Sequence, residues 1–269
     1  MKTTLPIILA HGICPFDKVF HLFSAGDDVQ DDRFHYFRKI RTTLINHGFL
    51  AFHTRVSWAG GLKRRALDLR REIIKITENF SLWPAVHIFA HSMGGLDARM
   101  MIHRYRMEQR VLSLTTIGTP HHGTSYADWG IKKFDSLIRA ARRLGIDIEG
   151  FRELTREYCR TLNSTLQTFE RDCGVTFRTV AGVKTYEGIF MPLRHSYRII
   201  WNEEGENDGL VPFGSALWKK AYFLEKLDAD HFNQIGWWHR GDAAAGVDRE
   251  TFENHIGQFY LRLAGSLRD

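Results

Sequence analysis

The segment VHIFAHSMGGLDAR, residues 86–99, constrains the fold more than any other part of the chain. A short apolar run ends at Ala90, and Ser92 stands between this run and a helix-compatible segment. This order predicts a buried strand, a sharp turn at Ser92 and a helix. Such a turn needs small residues two before and two after the serine, and Ala90 and Gly94 supply them. The pattern predicts a nucleophilic Ser92, because the turn exposes its hydroxyl beside the positive end of a helix.

A chain of 269 residues with 43% hydrophobic content can bury one large core, so we expect a single domain over residues 1–269. The apolar run LPIILA near the N terminus is too short for a signal peptide, and no run reaches the roughly 18 residues of a membrane span. We expect a cytoplasmic protein without a transmembrane segment, or alternatively a secreted mature form that has lost a leader. The net charge of +6 is spread along the chain, which indicates solvated helix faces and predicts no nucleic-acid partner.

Short apolar or β-branched runs alternate with amphipathic segments along the chain. The predicted strands are residues 5–10, 50–56, 85–90, 111–118, 175–181 and 197–201. Helical spacing of apolar residues predicts helices over 34–44, 62–80 and 251–263, the last with Thr251 as its N-cap. The sequence therefore predicts an α/β fold with a mostly parallel central sheet and helices on both faces.

A serine nucleophile needs a base and a carboxylate that orients the base. Asp208 lies on a glycine-flanked loop after the last predicted strand, and His231 follows it ahead of the final predicted helix. His239 and His255 fit the base position less well, since one lies in a tryptophan-rich stretch and the other inside the helical pattern. We therefore predict that Ser92, Asp208 and His231 form a catalytic triad.

Two predicted turns supply backbone N–H groups for an oxyanion hole. Ile13 follows His11 and Gly12 at the end of the first predicted strand, and Met93 follows Ser92 directly. Gly12 lets the backbone turn, so that the N–H groups of Ile13 and Met93 would hold a developing negative charge together. His11 is predicted to pack and form hydrogen bonds, because the base in such sites comes late in the chain.

On these motifs the chain resembles the bacterial triacylglycerol lipases and related carboxylesterases of the α/β-hydrolase superfamily. The resemblance is carried by PIILAHGI (6–13), AHSMGGLDAR (90–99), TIGTPHHGTSYAD (116–128), ELTREYCRTLN (153–163), NDGLVP (207–212) and DHFNQIG (230–236). It implies an α/β-hydrolase fold in which Ser92 is the nucleophile, His231 the base and acid, and Asp208 the group that orients His231. It also implies that the N–H groups of Ile13 and Met93 are the oxyanion donors.

The resemblance implies supporting roles around this set. Gly12 and His91 would adjoin the reacting groups, and Arg99 would brace the loop that carries the first oxyanion donor. The adjacent histidines His121 and His122 follow a predicted strand close to the serine turn. We interpret them as structural, because nothing in the sequence pairs them with a carboxylate.

Metal binding is the point at which the chain departs from its relatives. Secreted lipases of this type often bind calcium through an aspartate two residues after the catalytic histidine, where this chain has Asn233. An uncharged ligand weakens a site for a hard cation, so we expect no cofactor and no metal, with calcium as the alternative. The relatives also often have a disulfide just beyond the catalytic aspartate, whereas no cysteine follows Cys173 here, which fits a reducing compartment.

Residues 125 to about 170 form an insertion between two predicted strands, which we interpret as a helical cap or lid. An apolar helical face is flanked by basic residues; the apolar members are Ile131, Phe134, Ile138 and Ala141, and the basic ones are Lys132, Lys133, Arg139, Arg142 and Arg143. The favoured interpretation is a cap helix packed on the protein with its basic side in water. The alternative is a helix that lies on an anionic lipid interface.

The sequence therefore predicts a serine hydrolase that cleaves carboxylic esters with apolar acyl chains through an acyl-enzyme on Ser92. The expected partner is a lipid or a small ester substrate. An acyltransferase, a thioesterase or an amidase would use the same triad, and fold analogy does not separate these activities. A catalytically inactive lipid-binding module is the alternative from another class.

Overall fold

The computed structural model describes residues 3–13, 32–57, 60–143 and 149–269, with the backbone alone for 135–143. Six strands form one parallel sheet in the order β2-β1-β3-β4-β5-β6. They are β1 (Ile7–Ala10), β2 (Ala51–His53), β3 (Val86–His91), β4 (Val111–Ile117), β5 (Thr176–Val183) and β6 (Phe223–Asp228). In a parallel sheet all strands end at the same edge, so the loops that follow them meet there.

Helices connect the strands. In chain order they are α1 (Ile40–Asn46), α2 (Leu62–Ile76), α3 (Met93–Arg104), α4 (Ser125–Arg143), α5 (Glu149–Arg152), α6 (Arg156–Asp172), α7 (Arg194–Glu204), α8 (Phe213–Leu217), α9 (Arg240–Ala244) and α10 (Arg249–Gly265). Short 3-10 helices occupy Tyr186–Gly188, Met191–Leu193, Lys220–Tyr222 and Asn233–Ile235. None of the helices within the described ranges is long and apolar enough to span a lipid bilayer.

The two faces of the sheet bury different sets of side chains, because successive residues of a strand point to opposite faces. Ile7 and Leu9 of β1 pack in a cluster with residues of α1 and α10. Ile8 and Ala10 of the same strand pack in a second cluster with residues of α2 and α3. The predicted parallel sheet with helices on both faces is therefore confirmed.

One predicted strand is wrong. Residues 197–201 lie inside α7, where Tyr197 and Ile200 are buried and Trp201 is half exposed, a helical rather than a strand pattern. A short apolar run does not separate a strand from a buried helix turn. The sixth strand is instead β6, an edge strand whose sequence FLEKLD carries charges and buries only Leu227. Asp208 therefore lies on a loop that follows a helix, and not at the end of a strand.

The C-terminal helix, α10, begins earlier in the sequence than predicted. Helix α10 starts at Arg249, and the side chain of Asp248 accepts a hydrogen bond from the N–H of Thr251 at 2.9 Å. Asp248 is therefore the N-cap, and Thr251 lies within the first turn, where its N–H is one of the groups that a cap satisfies.

The segment between β4 and β5 divides into two parts. Helix α6 packs against α3 through a buried cluster that includes Leu96, Leu162 and Leu166, so it is the crossover helix between two neighbouring strands. Of the described part of this segment, only α4 and α5 lie outside that crossover, so the predicted insertion of 125–170 includes a helix that belongs to the crossover itself. Lys132 and Lys133 are exposed, whereas the side chains of Ile138, Arg139, Ala141, Arg142 and Arg143 lie outside the described residues.

Candidate active site

Ser92 forms the turn between β3 and α3. Its backbone has φ 56° and ψ −134°, a conformation that L residues rarely adopt, so it must be held by its surroundings. The Ser92 N–H donates to the carbonyl of Ile117 at 3.0 Å, and its carbonyl accepts from the hydroxyl of Thr119 at 2.8 Å and the N–H of Gly95 at 3.1 Å. Strand β4 and the residues after it therefore hold the strained turn in place.

Gly94 is required by the close approach of α3 to β1. A Cβ atom at this position would lie 2.5 Å from the carbonyl oxygen of Ala10 and 2.8 Å from that of His11. Because the ends of β1 and β3 are also paired, Ala10 beside Ala90, the loop after β1 runs directly past Ser92.

Asp208 and His231 form a buried hydrogen-bonded pair. The Nδ1 atom of His231 lies 2.8 Å from Oδ2 of Asp208, and the His231 N–H donates to the Asp208 carbonyl at 2.9 Å. The same carboxylate accepts from the N–H groups of Leu210 and Val211 and from the side-chain amide of Gln234, at 2.7 to 2.9 Å. A carboxylate that accepts these four bonds holds the imidazole with Nδ1–H toward Asp208, which leaves Nε2 to accept a proton.

The structure brings the serine and the pair to the same edge of the sheet. Ser92 follows β3, His231 follows β6, and the loop of Asp208 is joined to the end of β5 by a hydrogen bond between Lys184 and Asn207. The His231 ring lies 4.4 Å from the ring of His91, the residue before the serine. Among the described residues, Ser92 Oγ and His231 share no direct hydrogen bond. Such bonds are often long before substrate binds.

The two predicted oxyanion donors flank Ser92. Met93 is the first residue of α3, so its N–H belongs to the positive end of the helix. A Cβ atom on Gly12 would lie only 2.6 Å from Ser92 Cβ and 3.0 Å from Ser92 Oγ, so the loop that continues to Ile13 passes against the serine. Ile13 and Met93 also belong to one apolar cluster.

The rival histidines have other partners. His239 caps α9, with Nε2 2.8 Å from Asp230 Oδ2 and Nδ1 accepting from the N–H of Gly241. His255 is exposed on α10. His11 accepts a bond from the N–H of Val56 at its Nε2 atom and therefore holds the backbone.

The histidines after β4 contact structural groups. The His121 ring stacks on Trp218 at 4.1 Å, and its Nδ1 and Nε2 atoms lie within hydrogen-bond distance of Arg99 and Thr116. His122 bonds to the carbonyl of Trp218. These contacts agree with a structural interpretation of both residues.

Arg99 does not occupy the position predicted for it. Its guanidinium is buried against α6, where it pairs with Glu170 at 2.6 Å and donates to Asn163 at 2.7 Å, and it lies over the ring of Trp218. These partners belong to the crossover helix and its surroundings, and not to the loop after β1. The sequence resemblance assigned Arg99 a role that its direction on α3 excludes.

Arg65 holds the loop after β1 instead, and the sequence analysis missed it. Its guanidinium donates to the carbonyl of His11 at 2.9 Å and makes a forked pair with Asp97 at 2.7 to 3.1 Å. Burial raises the pKa of Asp97 to about 6, so this carboxylate is ionised and paired at neutral pH. The only signal in the sequence was that this basic residue falls on the face of α2 that the helical spacing of apolar residues predicts to be buried.

Asn233 tests whether the calcium site of the relatives fits this chain. Its Nδ2 group donates to Oδ2 of Asp242 at 2.9 Å and to the carbonyl of Trp237 at 3.0 Å, while its Oδ1 atom accepts from the N–H of Asp230. A cation would need those acceptor oxygens for itself, and an N–H donor repels it. The residues present do not fit calcium, and the described residues contain no group of three or more metal-ligating side chains.

Comparisons with known sequences find similarity over part or nearly all of the chain. A family model described as a PGAP1-like alpha/beta domain matches residues 57–157, which include Ser92. The chain is 29% identical to triacylglycerol lipase 2 of Saccharomyces cerevisiae, an alignment that covers 97% of this chain and 90% of that protein. It is 28% identical to a triacylglycerol lipase of Pseudarthrobacter phenanthrenivorans over 47% of this chain and 36% of the other.

Solved structures share the architecture. The mature lipase BlEst2 of Bacillus licheniformis superimposes with a TM-score of 0.69 at 19% identity, covering 97% of this chain and 92% of its own. The metagenomic carboxyl esterase MGS0156 gives a TM-score of 0.70 at 17% identity over 98% and 76% of the two chains. At these identities the structures establish the fold.

The contrasting positions of the two arginines predict different effects on Ser92. The double substitution Arg65→Met, Asp97→Leu fills the space of the ion pair with apolar side chains of similar volume but removes the hydrogen bond to the His11 carbonyl. Ser92 should therefore react about 10- to 100-fold more slowly with a fluorophosphonate probe. The matched Arg99→Met, Glu170→Leu variant should react within about threefold of the parent, because it leaves the loop untouched. Labelling rates with melting temperatures measure this. Equal slowing in both variants would contradict the assignment.

Proposed function

We propose that this chain, a lipase- and esterase-type α/β-hydrolase, cleaves carboxylic esters with apolar acyl chains through an acyl-enzyme on Ser92. The observation that carries the proposal is the hydrogen bond of 2.8 Å between His231 Nδ1 and Asp208, at the same sheet edge as the strained serine turn. No other described histidine bonds to Asp208.

Each group has a defined role in the reaction. Ser92 Oγ attacks the ester carbonyl while His231 Nε2 takes its proton, and the buried Asp208 stabilises the imidazolium that forms. The N–H groups of Met93 and Ile13 hold the oxygen that becomes negative. His231 then gives the proton to the departing alcohol, and a water molecule activated by His231 releases the acid from Ser92.

The surroundings of the serine support an apolar acyl group. Half-buried apolar side chains adjoin the residues of the site: Ile13, Leu154 and Tyr158 pack against the cluster that contains Met93, and Phe232, the residue after His231, packs with Phe190 and Leu210 against a second cluster. Ser92 itself is 9% exposed, so the reacting end of a bound acyl chain would be largely removed from water. Burial of its methylene groups would contribute about 0.8 kcal/mol each to binding.

Substitution of the three residues tests the proposal. Ser92→Ala or His231→Ala should each lower kcat for p-nitrophenyl butyrate by about 10⁴- to 10⁶-fold, and the double variant should be little worse, because the residues act as a unit. Asp208→Ala should have a smaller effect. The control His255→Ala, on an exposed face of α10, should keep full activity. A His231→Ala variant that keeps more than about a tenth of the activity would move the base elsewhere, with His239 next in line.

We also propose that activity needs no calcium, since the Asn233 amide makes the contacts that would otherwise fall to a cation. Excess EDTA should leave activity and melting temperature unchanged. Asn233→Asp should lower the melting temperature in EDTA by about 2–6 °C, because it sets two carboxylates against each other at a cost of ~1–2 kcal/mol. Asn202→Asp, at an exposed position of α7, makes the same substitution away from Asp242 and is the control. A parent chain that EDTA destabilises and calcium restores would overturn this proposal.

Part of α4 exposes groups that suit contact with a lipid surface. Phe134 is 45% exposed at a kink in α4, next to the exposed Lys132 and Lys133 and in contact with Trp129. An exposed aromatic group beside cations suits an anionic lipid interface, where each cation contributes about 1 kcal/mol. We propose that this part of α4 contacts the lipid.

Charge reversal tests the lipid contact. Lys132→Glu, Lys133→Glu should abolish preferential binding to phosphatidylserine vesicles over phosphatidylcholine vesicles, and leave turnover of short-chain esters intact. Arg71→Glu, Lys75→Glu makes the same change of charge near the far end of α2 and should bind as the parent does. Equal binding of the parent to both kinds of vesicle would contradict the proposal.

A further inference from the structure

Tyr36 reaches the active site from the segment before α1. Its hydroxyl oxygen lies 2.7 Å from Nδ1 of His91, the residue that precedes the nucleophile. Its ring lies 5.5 Å from the ring of His11 and 5.6 Å from that of His91. The phenol therefore stands between the loop after β1 and the turn after β3, which are the two segments that supply the oxyanion donors.

Gly12 shows how near the Tyr36 hydroxyl is to the serine. A Cβ atom built on Gly12 would lie 2.9 Å from the Tyr36 hydroxyl oxygen and 3.0 Å from Ser92 Oγ. Both oxygens are thus within 3.0 Å of one point, on the same side of the Gly12 backbone. When an ester reacts with Ser92, its carbonyl oxygen is two bonds from Oγ, and an ester whose carbonyl points to the Gly12 side of the serine would present this oxygen to the Tyr36 hydroxyl.

The hydrogen bond to His91 orients this hydroxyl. Burial keeps the pKa of His91 well below its ordinary value, so the ring is neutral at neutral pH and carries a single N–H. The Nε2 atom of His91 is buried and makes no hydrogen bond, and a buried N–H without an acceptor is rare. We assign the proton to Nδ1, which then donates to the Tyr36 oxygen and directs the hydroxyl hydrogen away from the His91 ring; a proton on Nε2 would face the His231 backbone and leave Nδ1 to accept from the hydroxyl.

We propose that Tyr36 is a further catalytic residue whose hydroxyl donates to the oxyanion formed on Ser92, with His91 as the positioning residue that holds it. The proposal rests on the proposed ester hydrolysis. It assigns a side-chain donor to a site that is otherwise built from the backbone N–H groups of Ile13 and Met93. It also gives the buried polar side chain of His91 a task, since this ring bonds to Tyr36 and packs against His231.

Tyr36→Phe removes the hydroxyl alone and keeps the ring. We expect kcat for p-nitrophenyl butyrate to fall about 10- to 100-fold with KM within twofold, because an oxyanion donor acts in the transition state. The affinity for a trifluoromethyl ketone, which forms a tetrahedral adduct with the serine, should fall by the same factor. Tyr105→Phe, which removes a hydroxyl just past the far end of α3, is the matched control and should change neither.

The pH profile separates a donor from a group that acts only through the base. Loss of an oxyanion donor lowers kcat/KM at every pH and leaves the shape of its pH profile unchanged. A shifted profile with unchanged affinity for the ketone would show that Tyr36 acts through His91 on His231 and would overturn the proposal. A kcat within twofold of the parent would overturn it as well.

Two replacements of His91 give an independent test that does not depend on the stability of the Tyr36 variant. In His91→Asn the side-chain amide takes the place of Nδ1 and can still hold the phenol, so most of the activity should remain. His91→Leu cannot, and it should lose as much activity and ketone affinity as Tyr36→Phe, with no further loss in the double variant. Equal activity of the Asn and Leu variants would contradict the positioning role. Ser92→Ala in the parent background tests the proposed hydrolysis separately, because it removes the nucleophile and leaves Tyr36 in place.

Discussion

The contact between Gly94 and the end of β1 is the constraint on which the active-site end of the molecule depends. Because no Cβ atom fits there, α3 can begin against the carbonyls of Ala10 and His11. This places the first N–H of α3 beside the loop that passes Ser92, and the Tyr36 hydroxyl approaches the same loop at Gly12. The positive φ of Ser92 is the strain that this arrangement carries, and two hydrogen bonds hold it, one from the Ser92 N–H to the Ile117 carbonyl and one from the Thr119 hydroxyl to the Ser92 carbonyl.

Features encoded in contiguous residues could be predicted from the sequence. The serine turn is one, because its strand, small residues and helix all lie within residues 86–99, and five of the six strands are another, because buried parallel strands are short apolar runs. Strand β6 was not predicted, because an edge strand that contains Glu225 and Lys226 has no such apolar run. Asp208 was selected because a strand was expected before it. The structure pairs it with His231 all the same, from a loop that follows a helix.

The residues that sequence reasoning missed or misplaced act through the direction of a side chain, which a linear pattern does not contain. Arg65 and Arg99 are both buried arginines on helices beside the site, yet one turns to the loop after β1 and the other to α6. The contacts of Tyr36 and Gln234 could not be predicted either, because each residue meets its partner only when distant segments are brought together. A carboxylate with four partners can be recognised in a structure and not in a sequence.

The hydrogen bond from the Tyr260 hydroxyl to the carbonyl of Gln234 has a consequence for the order in which this molecule matures. Tyr260 lies in α10 and shares a cluster with Ile7 and Leu9 of the first strand, while Gln234 holds the carboxylate of Asp208. Contacts between such distant parts of a chain require the closure of long loops, which costs conformational entropy. We therefore expect activity to appear during refolding only once the last helix has docked against the first strand.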